Sequence, residues 1–541
     1  MVAVVAYVRT VRTASGARAV QIVHSQRAGS RDIEHLGSAH TDADWELLVA
    51  AARRKIAAGQ GELDLRLPDS PASSGGVLPI TGSRMGVLVD ALEHAYRVLG
   101  FETAARRDEV FRKLVLARII EPTSKLDSLR VLAEAGIEPP SYRTVKRRLR
   151  VYAGLPPEGP LTGKDTDDGA LGEVDEVHEV EAIEPVVDPA GGPWRARLAK
   201  ACGEHVGLGP ATYCLYDVTT LHFETHEGDG FRESGFSKER RVEPQITVGL
   251  LTDAAGFPLM VHAFEGNRGE TTTMVPVLRE FMAAHQLTDI VVVADAGMIS
   301  EANWRAIEEL GWSFILGART PQVPTVVQKW RDAHPGQGIP DGHVFTRPWP
   351  AAPSDRRRDH TYFYAYSASR ARKTLHGIDE QVRKAEQAVA GKTAVKRNRF
   401  VTLSGAKKTV NRDLEAKARA LAGIKGYVTD LDDPTAEHVI STYSALLNVE
   451  KSFRMTKSDL AARPVFHHVR HSIEAHLTIV FAALAVSRWI ENATGWSIRK
   501  FVKTARRYRH VTIRAGDQTI TAADPLPADL QAALDLIHGT H

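Results

Sequence analysis

The stretch IVVVADAGMIS, residues 290–300, sets five apolar residues directly before Asp295 and small, flexible residues after it. A short apolar run bounded by Gly reads as a buried strand, here one that ends on a carboxylate. A second run, YCLYDVTTLHFET at 213–225, places Asp217 among aromatic and β-branched residues that favour a strand. Between the two lie QITVGLL and FPLMVHAF, joined by the turn TDAAG, and then a helical pattern over about 272–285. After Asp295 come a helix around 300–309 and the strand WSFILGA.

The resulting order, β-β-β-α-β-α-β, predicts an α/β fold with a ribonuclease-H-like mixed sheet flanked by helices. In that order an acid on the first strand and one ending the fourth lie side by side at strand ends, where open α/β sheets place their ligand sites. Asp217 and Asp295 occupy those positions. Two facing carboxylates repel unless a cation is shared. Oxygen-liganded Mg²⁺ or Mn²⁺ resolves the repulsion, and a pair of metals asks for a third acid. The stretch STYSALLNVEKSFRMTKSDLAARPVFHH, 441–468, supplies a candidate. Read as one helix, it puts Tyr443, Leu447, Glu450, Arg454 and Lys457 on one side, with Lys457 two turns, roughly 10 Å, beyond Glu450. An ordinary amphipathic helix with surface charges gives the same spacing, so both readings stand at this point.

Composition sets the frame. A chain of 541 residues exceeds one ordinary core, and 43% hydrophobic with 25% charged residues is that of a soluble globular protein. HLTIVFAALAVSRWI is too short and too charged at its end for a membrane span, so a buried helix is expected and no membrane association. Two cysteines fit a reducing cytoplasm. Net charge is only +3, but residues 157–188 carry eleven Asp/Glu against one Lys, while 356–412 carry fifteen Lys/Arg against four acids. Separate basic blocks on a near-neutral chain point to a polyanion partner, although any one block also fits a solvated helix face.

The chain divides into an N-terminal β-hairpin and helix (1–65) and a helical, DNA-binding candidate (79–155). An acidic linker (156–192) follows, then the catalytic core (193–317 and 441–492), an insertion (318–440) and a basic C-terminal segment (493–541). Within 79–155, SYRTVKRRLRVY has a Ser cap and a run of cations including Arg147 and Arg148. That suits a helix-turn-helix-like module on DNA as well as it suits a bundle with one basic face.

Taken together, the ordered residues resemble bacterial insertion-sequence transposases of the Asp-Asp-Glu type. Tyr443, Glu450 and Lys457 follow that family's Y-x2-R-x3-E-x6-K signature, with Leu446 at its Arg position and Arg454 a later turn. YDVTTL and VVADAGM resemble its two Asp regions. The resemblance covers roughly 200–490. It implies that Asp217, Asp295 and Glu450 hold two divalent metals, Mg²⁺ or Mn²⁺, and that Tyr443, Lys457 and Arg454 contact DNA near a transposon end. It also implies a mainly β insertion at 318–440, double-stranded terminal inverted repeats and target DNA as partners, and a homodimer in a nucleoid-associated, cytoplasmic setting. Trp330 and Trp349 lie in that insertion, where stacking on a flipped base competes with plain packing. His467, His468, His471 and His476 carry no zinc-like spacing. A nuclease without strand transfer, a catalytically silent DNA-binding repressor and a carboxylate-pair glycosidase are the alternatives, and a basic chain with 7% aromatics suits the last least.

Overall fold

A computed structural model describes residues 5–13, 17–25, 31–39, 41–58, 78–155, 194–209, 211–224, 227–235, 242–298, 301–355, 357–392, 398–404, 407–463, 465, 469–515 and 518–539. The expected acidic linker, 156–192, lies outside them. The chain splits into two compact units, Met1–Val77 and Leu78–His541.

In the first unit β1 (Val5–Arg12) and β2 (Arg18–Ser25) form the expected hairpin, with Arg12 opposite Arg18. A third strand, β3 (Arg31–Ala39), was not expected and pairs antiparallel with β2. Gly37 interrupts its side-chain alternation, and a Cβ there would stand 3.1 Å from Leu48. That gap lets helix α1 (Asp42–Ala58) lie on the sheet, packing Ala52, Trp45 and Leu48 against Val20 and Ile22.

The second unit opens with strand β4 (Ile80–Arg84) and five helices: α2 (Gly86–Val98), α3 (Phe101–Ala104), α4 (Glu109–Ile120), α5 (Asp127–Ala135) and α6 (Tyr142–Tyr152). Asp108 caps α4 by accepting from Phe111 N at 2.8 Å, and Ser141 caps α6 from Thr144 N at 3.1 Å, satisfying donors a helix start leaves open. Helix α6 buries Val145, Leu149 and Tyr152 and leaves Arg143, Lys146 and Arg147 exposed. Helix α7 (Trp194–Val206) then leads to the sheet.

The expected element order appears as β5 (Thr212–His222), β6 (Gln245–Thr252), β7 (Pro258–Glu265), α8 (Met274–His285), β8 (Ile290–Ala294), α9 (Glu301–Glu309) and β9 (Ser313–Ala318). Residues 318–440 correct the expectation of a mainly β insertion. They hold α10 (Thr325–Ala333), β10 (Val344–Trp349), β11 (His360–Tyr366), the 22-residue α11 (Ala368–Val389), β12 (Val401–Ser404), β13 (Lys407–Val410), α12 (Arg412–Ala420) and β14 (Ile424–Thr429). Helix wins there because Ile378, Val382 and Ala385 recur at helical spacing and close a small core with Phe400. Strands β10, β11 and β14 join the main sheet, whose order is β10-β11-β14-β9-β8-β5-β6-β7. Pairing is parallel across β5-β8-β9 and antiparallel elsewhere.

Two helices follow, α13 (Ala436–Ser444) and α14 (Leu446–Ser458), and then α15 (Arg470–Thr494). Helix α15 is long and apolar enough to span a membrane, but its apolar stretch is almost wholly buried against α4, α6 and β7. The basic C-terminal segment is folded. Helix α16 (Ile498–Ala505), β15 (His510–Ala515), β16 (Gln518–Ala523) and α17 (Ala528–Gly539) turn back, so that β15 pairs with β4 and α17 packs on α2 and α15.

Candidate active site

Strands β5 and β8 run parallel with Tyr216 opposite Ala294. One residue on, where β8 ends, Asp217 and Asp295 therefore stand at neighbouring positions. Strand alternation sends Tyr216 into the core and Asp217 to the opposite face, half-buried. Asp217 Oδ1 accepts from Val218 N at 2.8 Å. Strand β8 stops in a tight turn, Met298 N donating to Asp295 O at 3.1 Å, which leaves the Asp295 side chain exposed. Arg319 secures that turn, its guanidinium donating to Ala296 O at 3.0 Å and Gly297 O at 3.2 Å. A carboxylate oxygen of Glu270 lies 3.4 Å from where a Gly297 Cβ would be, so a fourth acid borders the turn.

Glu450 arrives on α14, which lies across β5 and β6. The start of α14 is seated on the β6–β7 turn: Asn448 Nδ2 donates to Ala254 O at 2.9 Å and Ser452 Oγ to Gly256 O at 2.7 Å. Gly256 has φ +82°, and a Cβ on it would stand 2.7 Å from Asn448 O. Only glycine allows both the turn and this approach. Arg488 of α15 grips the same turn, donating to Ala255 O at 2.6 Å. Glu450 lies between the two anchoring side chains of α14 and is exposed.

The single helix expected over Tyr443–Lys457 is in fact two, broken at Ala445. Asn448 N bonds to Ala445 O at 2.8 Å in a tightened turn, and the pull of Asn448 and Ser452 toward the hairpin gives the reason for the bend. Tyr443 ends α13, only 4% exposed, and its hydroxyl donates to Asp295 Oδ1. Burial, reinforced by the Asp295 carboxylate, raises its pKa far above the ordinary phenol value and keeps the proton on the donor. Tyr427 meets its ring edge-on, with centroids 5.0 Å apart.

Lys425 on β14 completes the neighbourhood. Its Nζ lies 4.3 Å from the Tyr443 ring centroid. Burial draws its pKa down while Asp295 and Glu450 hold it up, so the ammonium sits in the field of both acids. Asp217 acts likewise on Tyr443. Lys425 thus lies in the field of Asp295 and Glu450, and Tyr443 in that of Asp295 and Asp217. Neither Lys425 nor Arg319 was picked out from sequence. The alternation in IKGYVT marks a strand but says nothing of which sheet neighbour it meets.

Of the remaining residues singled out, Arg454 is exposed and Lys457 half-buried on α14, beyond Glu450. Arg147 is exposed, whereas Arg148 pairs with the buried Asp108 at 2.8 Å and so braces the cap of α4. Trp330 stacks on His334 with centroids 4.4 Å apart, and Trp349 lies 4.0 Å under the Arg357 guanidinium, so both rings have packing partners. His476 is buried with Nε2 3.3 Å from Ala462 O, while His467 and His468 lie outside the described residues.

Carboxylate oxygens suit a hard divalent cation, and the Lys425 ammonium already lies in the field of Asp295 and Glu450. Among the described residues no three Asp, Glu, His or Cys side chains converge tightly enough to form a ligand set. The donor chemistry fits a metal; the carboxylates as placed are not drawn onto one point.

Residues 210–486, just over half of the chain, match the transposase DDE domain. The chain belongs to that family. The match begins just before β5 and ends within α15, so it takes in the central sheet, all three acids and α14. The DDE domain makes the chain an enzyme of the polynucleotidyl transferase type, in a family that generally uses divalent metal ions. Among solved structures, the piggyBac transposase synaptic complex with hairpin DNA, determined by cryo-EM, aligns with 78% of this chain and 78% of that chain. Identity is 10% and the TM-score 0.37, a likeness too distant to inform the site. No curated protein matches the chain.

Proposed function

We propose that the chain is the transposase of a bacterial insertion sequence, acting as a nucleoid-associated homodimer in the cytoplasm on the duplex inverted repeats that end its element. We read β7-β6-β5-β8-β9 as a ribonuclease-H-like core. The observation that carries this reading is the neighbouring placement of Asp217 and Asp295 at the end of β8, with α14 bringing Glu450 across β5 and β6 of the same sheet.

Asp217, Asp295 and Glu450 would together hold two Mg²⁺ or Mn²⁺ ions. When bound, such ions supply an activated water or 3′-hydroxyl and stabilise charge on the attacking and leaving oxygens. The chain's own groups do the positioning. The Tyr443 hydroxyl fixes one oxygen of Asp295, Arg319 holds the turn that presents it, and the Asn448 and Ser452 anchors fix the height of Glu450. Arg454 and Lys457 extend the same helix toward backbone phosphates, and Arg147 offers a contact on α6; these set position and carry no sequence information. A freed 3′-hydroxyl held at this centre would attack a target phosphodiester, forming a new P–O bond as the target strand's own 3′-oxygen leaves, an ester exchange that needs no ATP.

Strand cleavage of a labelled duplex bearing the element's terminal repeat tests the reading, with Mg²⁺ or Mn²⁺ and with Asp295→Asn and Glu450→Gln alongside the wild type. Metal-dependent nicking at the repeat boundary, lost in both variants, is the expected result. Binding without cutting returns the chain to a repressor role. Cutting that ignores the repeat and survives Glu450→Gln makes it a general nuclease.

A further inference from the structure

The helical part of the larger unit holds a second charged site, opposite in sign. Between the end of α4, helix α6 and the segment before α15 lies a cavity of about 780 Å³. Arg118 and Lys125 line its inner part, 7% and 6% exposed, and Arg143, Lys146 and Arg147 stand exposed at its mouth. No Asp or Glu lines it among the described residues. Arg118 has no carboxylate partner among them either. Burial alone pushes the Arg118 guanidinium down to about 10, and burial together with Arg118 drives the Lys125 ammonium well below its ordinary value. A buried guanidinium without a carboxylate partner is unfavourable unless an anion joins it.

Volume and lining narrow the anion. A cavity of about 780 Å³ has room for one phosphate with its sugar and base but not for a duplex. The cavity also has an apolar wall, including Val145, Leu149 and Val469. At its mouth Tyr142 is 37% exposed, and Lys146 Nζ lies 5.2 Å from its ring centroid. Buried cations, an apolar wall and an exposed aromatic ring together are the lining that single-stranded nucleic acid asks for.

We propose that this cleft binds a single-stranded DNA segment, one phosphate reaching Arg118 and Lys125 and the adjoining base stacking on Tyr142. The inference rests on the reading of the chain as a DNA-acting enzyme. It adds a site for an unpaired strand that the carboxylate centre does not contain.

Fluorescence anisotropy of a labelled twelve-nucleotide oligo-dT, in EDTA so that no cleavage occurs, tests it on the full chain. Arg118→Met is expected to weaken binding at least tenfold while melting no lower than wild type, because the substitution removes a buried charge. A duplex of the same length should bind with an affinity that Arg118→Met leaves within twofold. Tyr142→Ala, at the exposed mouth, should weaken the oligonucleotide about fivefold without touching the fold. Asp295→Asn should bind the oligonucleotide as wild type does, so a failure of the catalytic reading shows up separately, in cleavage alone. Oligonucleotide affinity unchanged in Arg118→Met overturns the proposal, as does equal loss for single strand and duplex. If Arg118→Met fails to fold, unchanged affinity in Tyr142→Ala overturns it and the fivefold loss upholds it.

Discussion

The carboxylate centre and the basic cleft belong to one compact unit and handle like charge in opposite ways. At the carboxylate centre, Asp217 is half-buried and Asp295 and Glu450 are exposed, and two neighbours, the Tyr443 hydroxyl and the Lys425 ammonium, offset their repulsion. In the cleft, Arg118 is almost wholly buried and has no carboxylate partner among the described residues. Exposure lets the first site persist with water as its counter-ligand, while burial leaves the second with a standing cost that an anion relieves. A group of charges is therefore best judged by how far water reaches it, not by its size.

Substitutions can break or sharpen this contrast. The largest effect falls on Asp295→Asn, which should slow repeat-end cleavage at least about 1000-fold, roughly 4 kcal/mol of barrier, with oligonucleotide binding in EDTA unchanged. Parallel loss in both assays would merge the two sites into one. Next, Gly256→Val forces a β-branched residue to positive φ and into Asn448, and should cost about 3 kcal/mol in urea unfolding. A loss under 1 kcal/mol would mean that α14 does not need that close seat.

A buried acid gives the mirror image of Arg118. Asp430 has a fully buried side chain, accepts from Phe314 N at 2.7 Å and pairs with Arg358 at 3.0 Å, yet burial pushes its carboxyl up to about 6. A raised acid pKa means that the folded state holds the proton more tightly. The cost is then absent below about pH 4, grows as pH rises, and is complete above about pH 6, on the order of 3 kcal/mol. Urea titrations of wild type and Asp430→Asn from pH 4 to 7 should show wild type losing ground by that amount. A pH-independent gap between them would show that Arg358 compensates the burial in full.

The smallest effect is the most discriminating. Tyr443→Phe removes one hydrogen bond to a charged acceptor, about 1.5 kcal/mol, and should raise the metal concentration for half-maximal cleavage roughly tenfold at unchanged affinity for repeat DNA. Weaker DNA binding with the same metal demand would instead make Tyr443 the DNA contact that the family resemblance implies.

The strands bearing Asp217 and Asp295 were legible because β-branched runs and turn residues mark them locally, and the order of elements then brings their ends together. What surrounds them was not legible. The break at Ala445 lies in an Ala-Leu-Leu run without Gly or Pro, so its cause is the hairpin turn some 190 residues earlier in the chain that anchors Asn448. Lys425 reads as one cation among many until β14 is set beside β9. Arg148 looked like its neighbours on α6 until Asp108 claimed it. Helix α11 is legible as a basic helical stretch after the aromatic strand, and only the resemblance, which implied a mainly β insertion, argued against helix there.

The pairing of β4 with β15 places Thr512 opposite Gly82. On the ribosome these partners emerge some 430 residues apart, which at ordinary synthesis rates is roughly 20 to 90 seconds. Helix α2 waits as long for α17, and α4 and α6 almost as long for α15. The helical region is thus the earliest part of its unit to be made and among the last to be finished. A nascent chain holding the complete carboxylate set but stopped before residue 510 still has β4 as an open edge and the α17-facing side of α2 uncovered, so the unit closes only once its final strands leave the tunnel.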